Sequence, residues 1–201
     1  ESKKVIPIFI FTPEQIKKNS FKSHNAVQFM IESLEELNLE LKKIKSKLYF
    51  FYGRQHKIIN KLKKNIDIDA IYVNKDYTPY AVKRDKLIKK TCKKNNILFK
   101  EYEDILLRPI GSTKTNDNVY QKFTPYFRSA SLKKVNKPIK NNYKNYYRKD
   151  ILNEFKKDIH KFYTKNDNIL LRGGRKNALK KLNKIEKFKK YNDERNILSL
   201  S

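Results

Sequence analysis

The chain has 201 residues, enough for one domain and part of a second, and its 38% of hydrophobic residues is enough for a buried core. No run approaches the roughly 18 apolar residues of a membrane span, and no signal-peptide pattern follows the first residues. We therefore expect no membrane partner and an intracellular, non-secreted protein of unspecified compartment. One cysteine excludes an internal disulfide, and three scattered histidines predict no metal site.

The formal net charge is +27, which favours partners that carry phosphate. Only 8 of the 48 basic residues are arginine, the residue better suited to bidentate phosphate and base contacts. A chain rich in Lys, Asn and Ile is also what drift in an AT-rich coding sequence produces. The charge therefore leaves two interpretations open, nucleic-acid binding and drift.

Apolar runs alternate with helical periodicity over residues 1–107. The runs at 5–11, 47–53, 69–74 and 97–99 predict strands. The stretches at 25–45, 58–62 and 79–95 predict the helices between them. Such alternation is typical of an α/β fold with a parallel sheet and right-handed crossovers. A further extended piece is expected at 105–107.

The amino-acid composition and the spacing of apolar residues change after residue 107. Turn formers and few apolar residues at 111–118 predict a linker, which we extend over 108–143. Apolar residues at helical spacing then predict one helix over 145–163 and a second that opens at 172–175 and runs toward residues 191–195.

The segment from Tyr72 to Asp85 predicts a strand, a turn and a helix that begins at Pro79. Asn74, Tyr77 and Thr78 then lie at the carboxyl end of a parallel strand, the edge where open α/β sheets bind ligands. On spacing alone, an ordinary βα turn that begins with proline is the better explanation of the segment. Four scattered glycines exclude a glycine-rich phosphate loop.

Four motifs in fixed order resemble those of DNA photolyases and cryptochromes. They are the strand and turn at 5–14, the segment 74–85, the Phe-Thr-Pro-Tyr-Phe at 123–127 and the Arg-Gly-Gly-Arg at 172–175. The set is most similar to class I photolyases, which repair cyclobutane pyrimidine dimers.

The resemblance implies a Rossmann-like parallel sheet that lacks the family's first strand. It divides the chain into an antenna domain at 1–107, an interdomain linker at 108–143 and the first helices of a FAD-binding domain at 144–201. The absent central strand leaves two unpaired sheet edges, or a rearranged pairing of residues 5–11 with 70–73.

The resemblance also implies site residues. Tyr191 corresponds to a tyrosine that contacts FAD, and Arg195 to an arginine that approaches substrate DNA. Asn74, Tyr77 and Thr78 border the site of an antenna pigment, a folate or a deazaflavin. Thr78 stands where folate-binding members carry a carboxylate, which counts against folate. No residue is assigned a catalytic role.

These implications predict a truncated photolyase-like protein, inactive alone because later flavin ligands and the tryptophans of the electron-transfer chain are missing. One alternative is an antenna-pigment protein or one subunit of a split enzyme, docking with a separately encoded C-terminal part. The other is a basic, non-catalytic nucleic-acid-binding protein that uses lysine charge and aromatic stacking.

Overall fold

The computed structural model describes residues 3–17, 20–115, 118–135 and 137–188. The chain forms two compact units, one made of residues 1–54 and 144–201 and the other of residues 55–143. Strands and helices alternate through the first half, so the predicted α/β class is confirmed. The strands are β1 Ile8–Phe11, β2 Tyr49–Tyr52, β3 Ala70–Asn74 and β4 Leu98–Tyr102. The helices are α1 Pro13–Ile16, α2 His24–Lys43, α3 Gln55–Lys63, α4 Pro79–Lys94, α5 Phe123–Ser131 and α6 Arg175–Leu182.

The first unit is built on the parallel pair β1–β2, in which Ile8 lies opposite Tyr49. The apolar face of α2 covers this pair and contributes the buried Ile31 and Leu34 to a core that also holds Phe11. Helix α2 starts where predicted because the Ser23 hydroxyl accepts a hydrogen bond from the backbone N–H of Ala26.

The helix predicted for residues 145–163 is wrong. The backbone there pairs with Val5 instead, through Val5 N–H to Asn145 O at 2.9 Å and Tyr147 N–H to Val5 O at 2.8 Å. Only a 3-10 turn, Ile159–Phe162, is helical. Aromatic side chains of this segment pack on β1, with the rings of Phe11 and Phe162 5.0 Å apart. Pairing and ring packing therefore replace the helical hydrogen bonds that periodicity suggested.

The second unit is built on the parallel pair β3–β4, with Ala70 opposite Leu98. One face of the pair packs on α3 and α4 around a buried cluster of Ile59, Ile88, Cys92 and Ile97. Burial raises the pKa of the Cys92 thiol, as expected for an inert core cysteine.

Helical periodicity in α4 also predicts that Val82 and Leu87 are buried, and this prediction is wrong. Val82 is 55% exposed and Leu87 is 49% exposed. The buried face of α4 instead consists of Ala81, Asp85, Ile88 and Cys92. Asp85 is tolerated there because the neighbouring Arg84 guanidinium donates to both of its oxygens, at 2.7 and 2.9 Å.

Strands β1 and β3 are not paired with each other in the part of the chain that the structure describes. The four strands form two separate two-stranded sheets, β1–β2 and β3–β4. The rearranged pairing is therefore wrong, and the other expected outcome, an unpaired edge on each pair, matches the topology.

The segment predicted as linker contains helix α5, for which no helix was predicted. Pro125 is its third residue, a position whose N–H has no intrahelical partner in any helix. Residues 105–107 form bends rather than the expected strand. Helix α6 ends at Leu182 and a 3-10 turn follows at Ile185–Phe188, so the predicted continuous helix is interrupted. The three-part domain division stays a prediction.

Candidate functional site

The turn between β3 and α4 holds all three residues predicted to border a ligand. Asn74 ends β3 with an exposed side chain. Thr78 caps α4, because its hydroxyl accepts a hydrogen bond from Ala81 N–H at 3.3 Å. Its own N–H donates to the carboxylate of Asp76 at 2.9 Å. These two hydrogen bonds fix the backbone of this turn at the carboxyl edge of the sheet.

Tyr77 belongs to a three-residue polar cluster with Lys75 and Glu103. The Tyr77 hydroxyl donates to the Glu103 carboxylate, and Lys75 Nζ lies 3.1 Å from the same carboxylate. The Lys75 ammonium also lies 5.1 Å from the centre of the Tyr77 ring. The strand ladder brings the cluster together, because Lys75 N–H donates to Tyr102 O at 2.9 Å, one residue before Glu103.

The cluster is held in one protonation state near neutral pH. The Tyr77 hydroxyl and the Lys75 ammonium lower the pKa of Glu103. The hydrogen bond to Glu103 raises the pKa of both Tyr77 and Lys75. The cluster thus offers a fixed carboxylate, an ammonium and a phenol, which suits binding and orientation rather than proton transfer.

Glu103 was missed by sequence reasoning. The available signal was its position directly after β4, since residues that follow neighbouring parallel strands meet at one edge. Using that signal required the register of β3 against β4, which the sequence did not supply.

The face of β3–β4 that is turned away from α4 carries exposed aromatic rings. Tyr72 and Tyr102 are 44% and 49% exposed, and their rings stack with centres 6.1 Å apart. Lys100 Nζ lies 5.8 Å from the centre of the Tyr72 ring. Strand alternation puts Asn74 on this same face. Flat rings, an amide and a cation together fit a planar, polar heteroaromatic molecule, the chemical class to which folates and deazaflavins belong.

The Arg-Gly-Gly turn in the first unit is docked on α2. We call this contact the glycine clamp, formed by Arg172, Gly173, Gly174 and Lys176 on one side and Glu32, Ser33 and Glu36 on the other. Backbone N–H groups donate to α2 side chains: Gly173 to Glu32 at 2.7 Å, Gly174 to Ser33 at 2.9 Å and Lys176 to Glu36 at 3.1 Å.

The glycine clamp restricts which ligands the start of α6 can bind. Free N–H groups at a helix start would suit a phosphate. Here carboxylates and a hydroxyl of α2 already accept them. The turn therefore does not fit the pyrophosphate of FAD, although its motif is similar to one in flavin-binding proteins.

The other sequence-predicted site residues, Tyr191 and Arg195, lie outside the described residues. Within the described ranges, no group of three or more His, Cys, Asp or Glu side chains could hold a metal ion. No helix there is long and apolar enough to cross a membrane.

Comparison with known proteins identifies the family to which the chain is similar. The family model of DNA photolyase matches residues 1–142. The deoxyribodipyrimidine photo-lyase of Buchnera aphidicola is 25% identical over 98% of this chain and 43% of its own length. Cryptochrome-1 of Aedes aegypti is 30% identical over 46% of this chain and 17% of its own length.

Solved structures of photolyases and cryptochromes match the fold of this chain. The photolyase of Sulfolobus tokodaii, described with two FAD molecules, matches with a TM-score of 0.75 and 37% identity over 88% of this chain and 39% of its own. A Synechocystis cryptochrome matches in fold with a TM-score of 0.76 at 17% identity, over 90% of this chain and 40% of its own. The chain thus spans less than half the length of these relatives, and it belongs to the DNA photolyase family.

Proposed function

We propose that these residues supply the antenna-side α/β part, and the first segments of the flavin side, of a light-driven lyase for cyclobutane pyrimidine dimers. The observation that carries the proposal is a family match over residues 1–142 in a chain that covers 43% of a deoxyribodipyrimidine photo-lyase. Electron transfer from reduced flavin is the chemistry that FAD supplies when bound. In this proposal Tyr191 contacts FAD and Arg195 approaches DNA.

Under this proposal, flavin binding depends mainly on the parts of the relatives that lie beyond the part matched by this chain. The 201 residues alone then bind no stoichiometric FAD and repair no dimers under blue light. The test is a flavin titration and a light-dependent repair assay on the purified chain, with a dimer-containing duplex as substrate. Stoichiometric flavin with turnover would refute the inactivity of the isolated chain.

The open face of β3–β4 is the proposed antenna site. The stacked rings of Tyr72 and Tyr102 would contact the pigment, and Asn74, Tyr77 and Thr78 would border it. A deazaflavin is preferred over a folate because Thr78 offers no carboxylate. The assay is fluorescence titration with each pigment.

Matched variants test the location of the antenna site. Replacing Tyr72 and Tyr102 with Ala should weaken binding at least tenfold, since stacking on each ring contributes about 1–3 kcal/mol. Tyr143, which is 75% exposed in the same unit, is the matched control. Equal losses from Tyr143→Ala, or no pigment binding by the parent chain, would contradict this part of the proposal.

A second candidate function is that of one subunit in a split enzyme. Helix α5 favours it: Phe123 and Phe127 are 74% and 55% exposed, and their rings stack at 5.8 Å. Such a helix would dock a separately made C-terminal part. The probe is the Buchnera photo-lyase segment beyond the matched region, assayed for binding and for restored repair. Phe123→Ala with Phe127→Ala should abolish association, while Leu132→Ala, at an 89% exposed position, should not.

A further inference from the structure

Five lysines form a continuous line along the solvent face of α4. We call it the lysine stripe; its members are Lys83, Lys86, Lys90, Lys93 and Lys94. All five side chains are exposed. They are spaced three, four, three and one residues apart, opposite the buried positions Ala81, Ile88 and Cys92.

The stripe has no counter-charge in the part of the chain that the structure describes. The carboxylates on and just before α4 are engaged elsewhere: Asp85 with Arg84, and Asp76 with the backbone N–H of Thr78. Helix α4 has seven basic residues and one acidic residue, and α3, which packs against it, has no acidic residue. A strongly positive, unneutralised surface results.

This arrangement opposes the stability of the helix. Like charges three or four residues apart destabilise a helix by about 0.2–0.5 kcal/mol per pair. The helix dipole favours Lys93 and Lys94 in the last turn, but it gives no such support to Lys83, Lys86 and Lys90. Compositional drift also fails to explain the pattern, because α2, of similar length, has four glutamates and two lysines.

We infer that the lysine stripe is a docking surface for the phosphate backbone of duplex DNA. From Lys83 to Lys94 the helix rises about 16 Å, at about 1.5 Å per residue. One strand of duplex DNA carries about five phosphates over that length, at 3.4 Å per nucleotide. Lysine is a point charge suited to backbone contacts without base readout, so the binding is independent of sequence.

An anionic membrane fits the surface less well. Interfacial helices need a broad apolar face beside the basic one. The apolar face of α4 is buried in the core of its unit, and the exposed Val82 and Leu87 flank the stripe on opposite sides. The inference requires neither flavin nor pigment, and it goes beyond the proposed function because it needs no DNA lesion.

The test measures binding of the full chain to an undamaged duplex in the dark, over a series of salt concentrations. The variant replaces all five stripe lysines with Gln, which keeps helix propensity. Each phosphate contact contributes about 0.9 to the slope of log K against log salt, so the slope should fall by about 4. Affinity at the lowest salt should drop at least tenfold.

The control removes the same charge elsewhere. It replaces Lys134, Lys137, Lys140, Lys144 and Lys149 with Gln; all five are exposed outside any helix. Its slope should change by less than half as much as that of the stripe variant. A third variant with Arg at the five stripe positions should bind like the parent, which also shows that the positions tolerate substitution.

Three outcomes would overturn the inference. Equal losses in the Gln variant and the control would mean diffuse attraction by net charge. Tighter binding of the parent to vesicles of anionic phospholipid than to duplex DNA would indicate a membrane surface. Tighter binding to duplex RNA of equal length would indicate a different nucleic acid. This test uses no flavin or repair assay. A negative result here therefore leaves the proposed function standing, and a negative result in the repair assay leaves this inference standing.

Discussion

Helices α2 and α4 are the two longest helices described, and they use surface charge in opposite ways. The carboxylates of Glu32 and Glu36 on α2 accept hydrogen bonds from the chain's own backbone at the start of α6. The stripe lysines of α4 point to solvent without a described partner. Charge on α2 therefore stabilises the fold, whereas charge on α4 is available to a ligand.

The two helices also differ in how their functional residues can be recognised in the sequence. A glutamate that binds a segment 141 residues away leaves no local pattern, so Glu32 was not recognised. A lysine stripe is visible in the sequence, but its meaning depends on which face of the helix is buried. Substitutions in the two helices should therefore differ in kind: those in the glycine clamp should lower stability, whereas those in the stripe should weaken binding and leave stability unchanged or slightly higher.

The largest effect is expected for Gly173→Ala. An added Cβ would fall on the carbonyl oxygen of Phe29 and lie 2.8 Å from the Ser33 hydroxyl. Backbone cannot give way cheaply, so α6 would lift off α2, with a loss of about 3 kcal/mol in the free energy of unfolding. Urea denaturation measures this loss of stability. Gly111→Ala is the control: its φ of +76° is strained, but the nearest atom, Lys114 Cε, is 3.6 Å away. An equal loss there would contradict the steric explanation.

Glu32→Gln should have the next largest effect. The carboxylate binds Arg172 at 2.8 Å and Gly173 N–H at 2.7 Å, and its side chain is only 20% exposed. Neutralising it should lower the free energy of unfolding by about 1–2 kcal/mol, typical of hydrogen bonds to charged groups. The matched control is Glu40→Gln, on the same helix but solvent-exposed, which should leave the urea midpoint unchanged.

The effect of Glu32→Gln should depend on pH. Burial alone would raise the pKa of Glu32, but hydrogen bonds from Gln28, Gly173 and Arg172 outweigh it and lower that pKa. The stabilisation is therefore complete at neutral pH and is lost as the pH falls from the usual glutamate value of about 4.3 through the lower folded value. The difference in stability between parent and variant should shrink over that range. A constant difference down to the acid transition would exclude Glu32 as its source.

Thr78→Ala should have a smaller effect, confined to α4. The Thr78 hydroxyl caps the helix that carries the stripe, through Ala81 N–H at 3.3 Å. Losing an N-cap typically reduces stability by about 1 kcal/mol. Thr78→Ser keeps the hydroxyl and should match the parent in thermal unfolding. If the serine variant falls as far as the alanine variant, the methyl group rather than the cap is responsible.

Local pattern predicted much of the fold. Buried strands appear as continuous apolar runs, so β1 to β4 were found, and periodicity with capping residues gave α2 and α4 nearly to their ends. The segment 145–163 was misassigned because its aromatic spacing also suits an extended chain packed on β1, and its pairing with Val5 is a long-range contact. No local rule separates the two outcomes.

The candidate site was predicted only in part. The turn residues Asn74, Tyr77 and Thr78 were found because chain order places them at a strand end. Glu103 and the Tyr72–Tyr102 stack required the pairing of β3 with β4, which is set by burial against α4 and not by adjacent residues. Tyr191 and Arg195 were assigned by resemblance alone and stay predictions.

The smallest effect on stability is expected from the stripe itself. Lys86→Gln with Lys90→Gln removes a like-charge pair four residues apart, so the free energy of unfolding should rise by at most about 0.5 kcal/mol. The rise should vanish in high salt, because screening already weakens the repulsion. Thermal unfolding at low and high ionic strength measures it. A clear loss of stability would mean that these lysines, like the glutamates of α2, hold the fold together, and the contrast between the two helices would fail. A neutral or slightly positive change, together with weaker DNA binding, would mean that the stripe persists against the stability of its own helix because a ligand uses it.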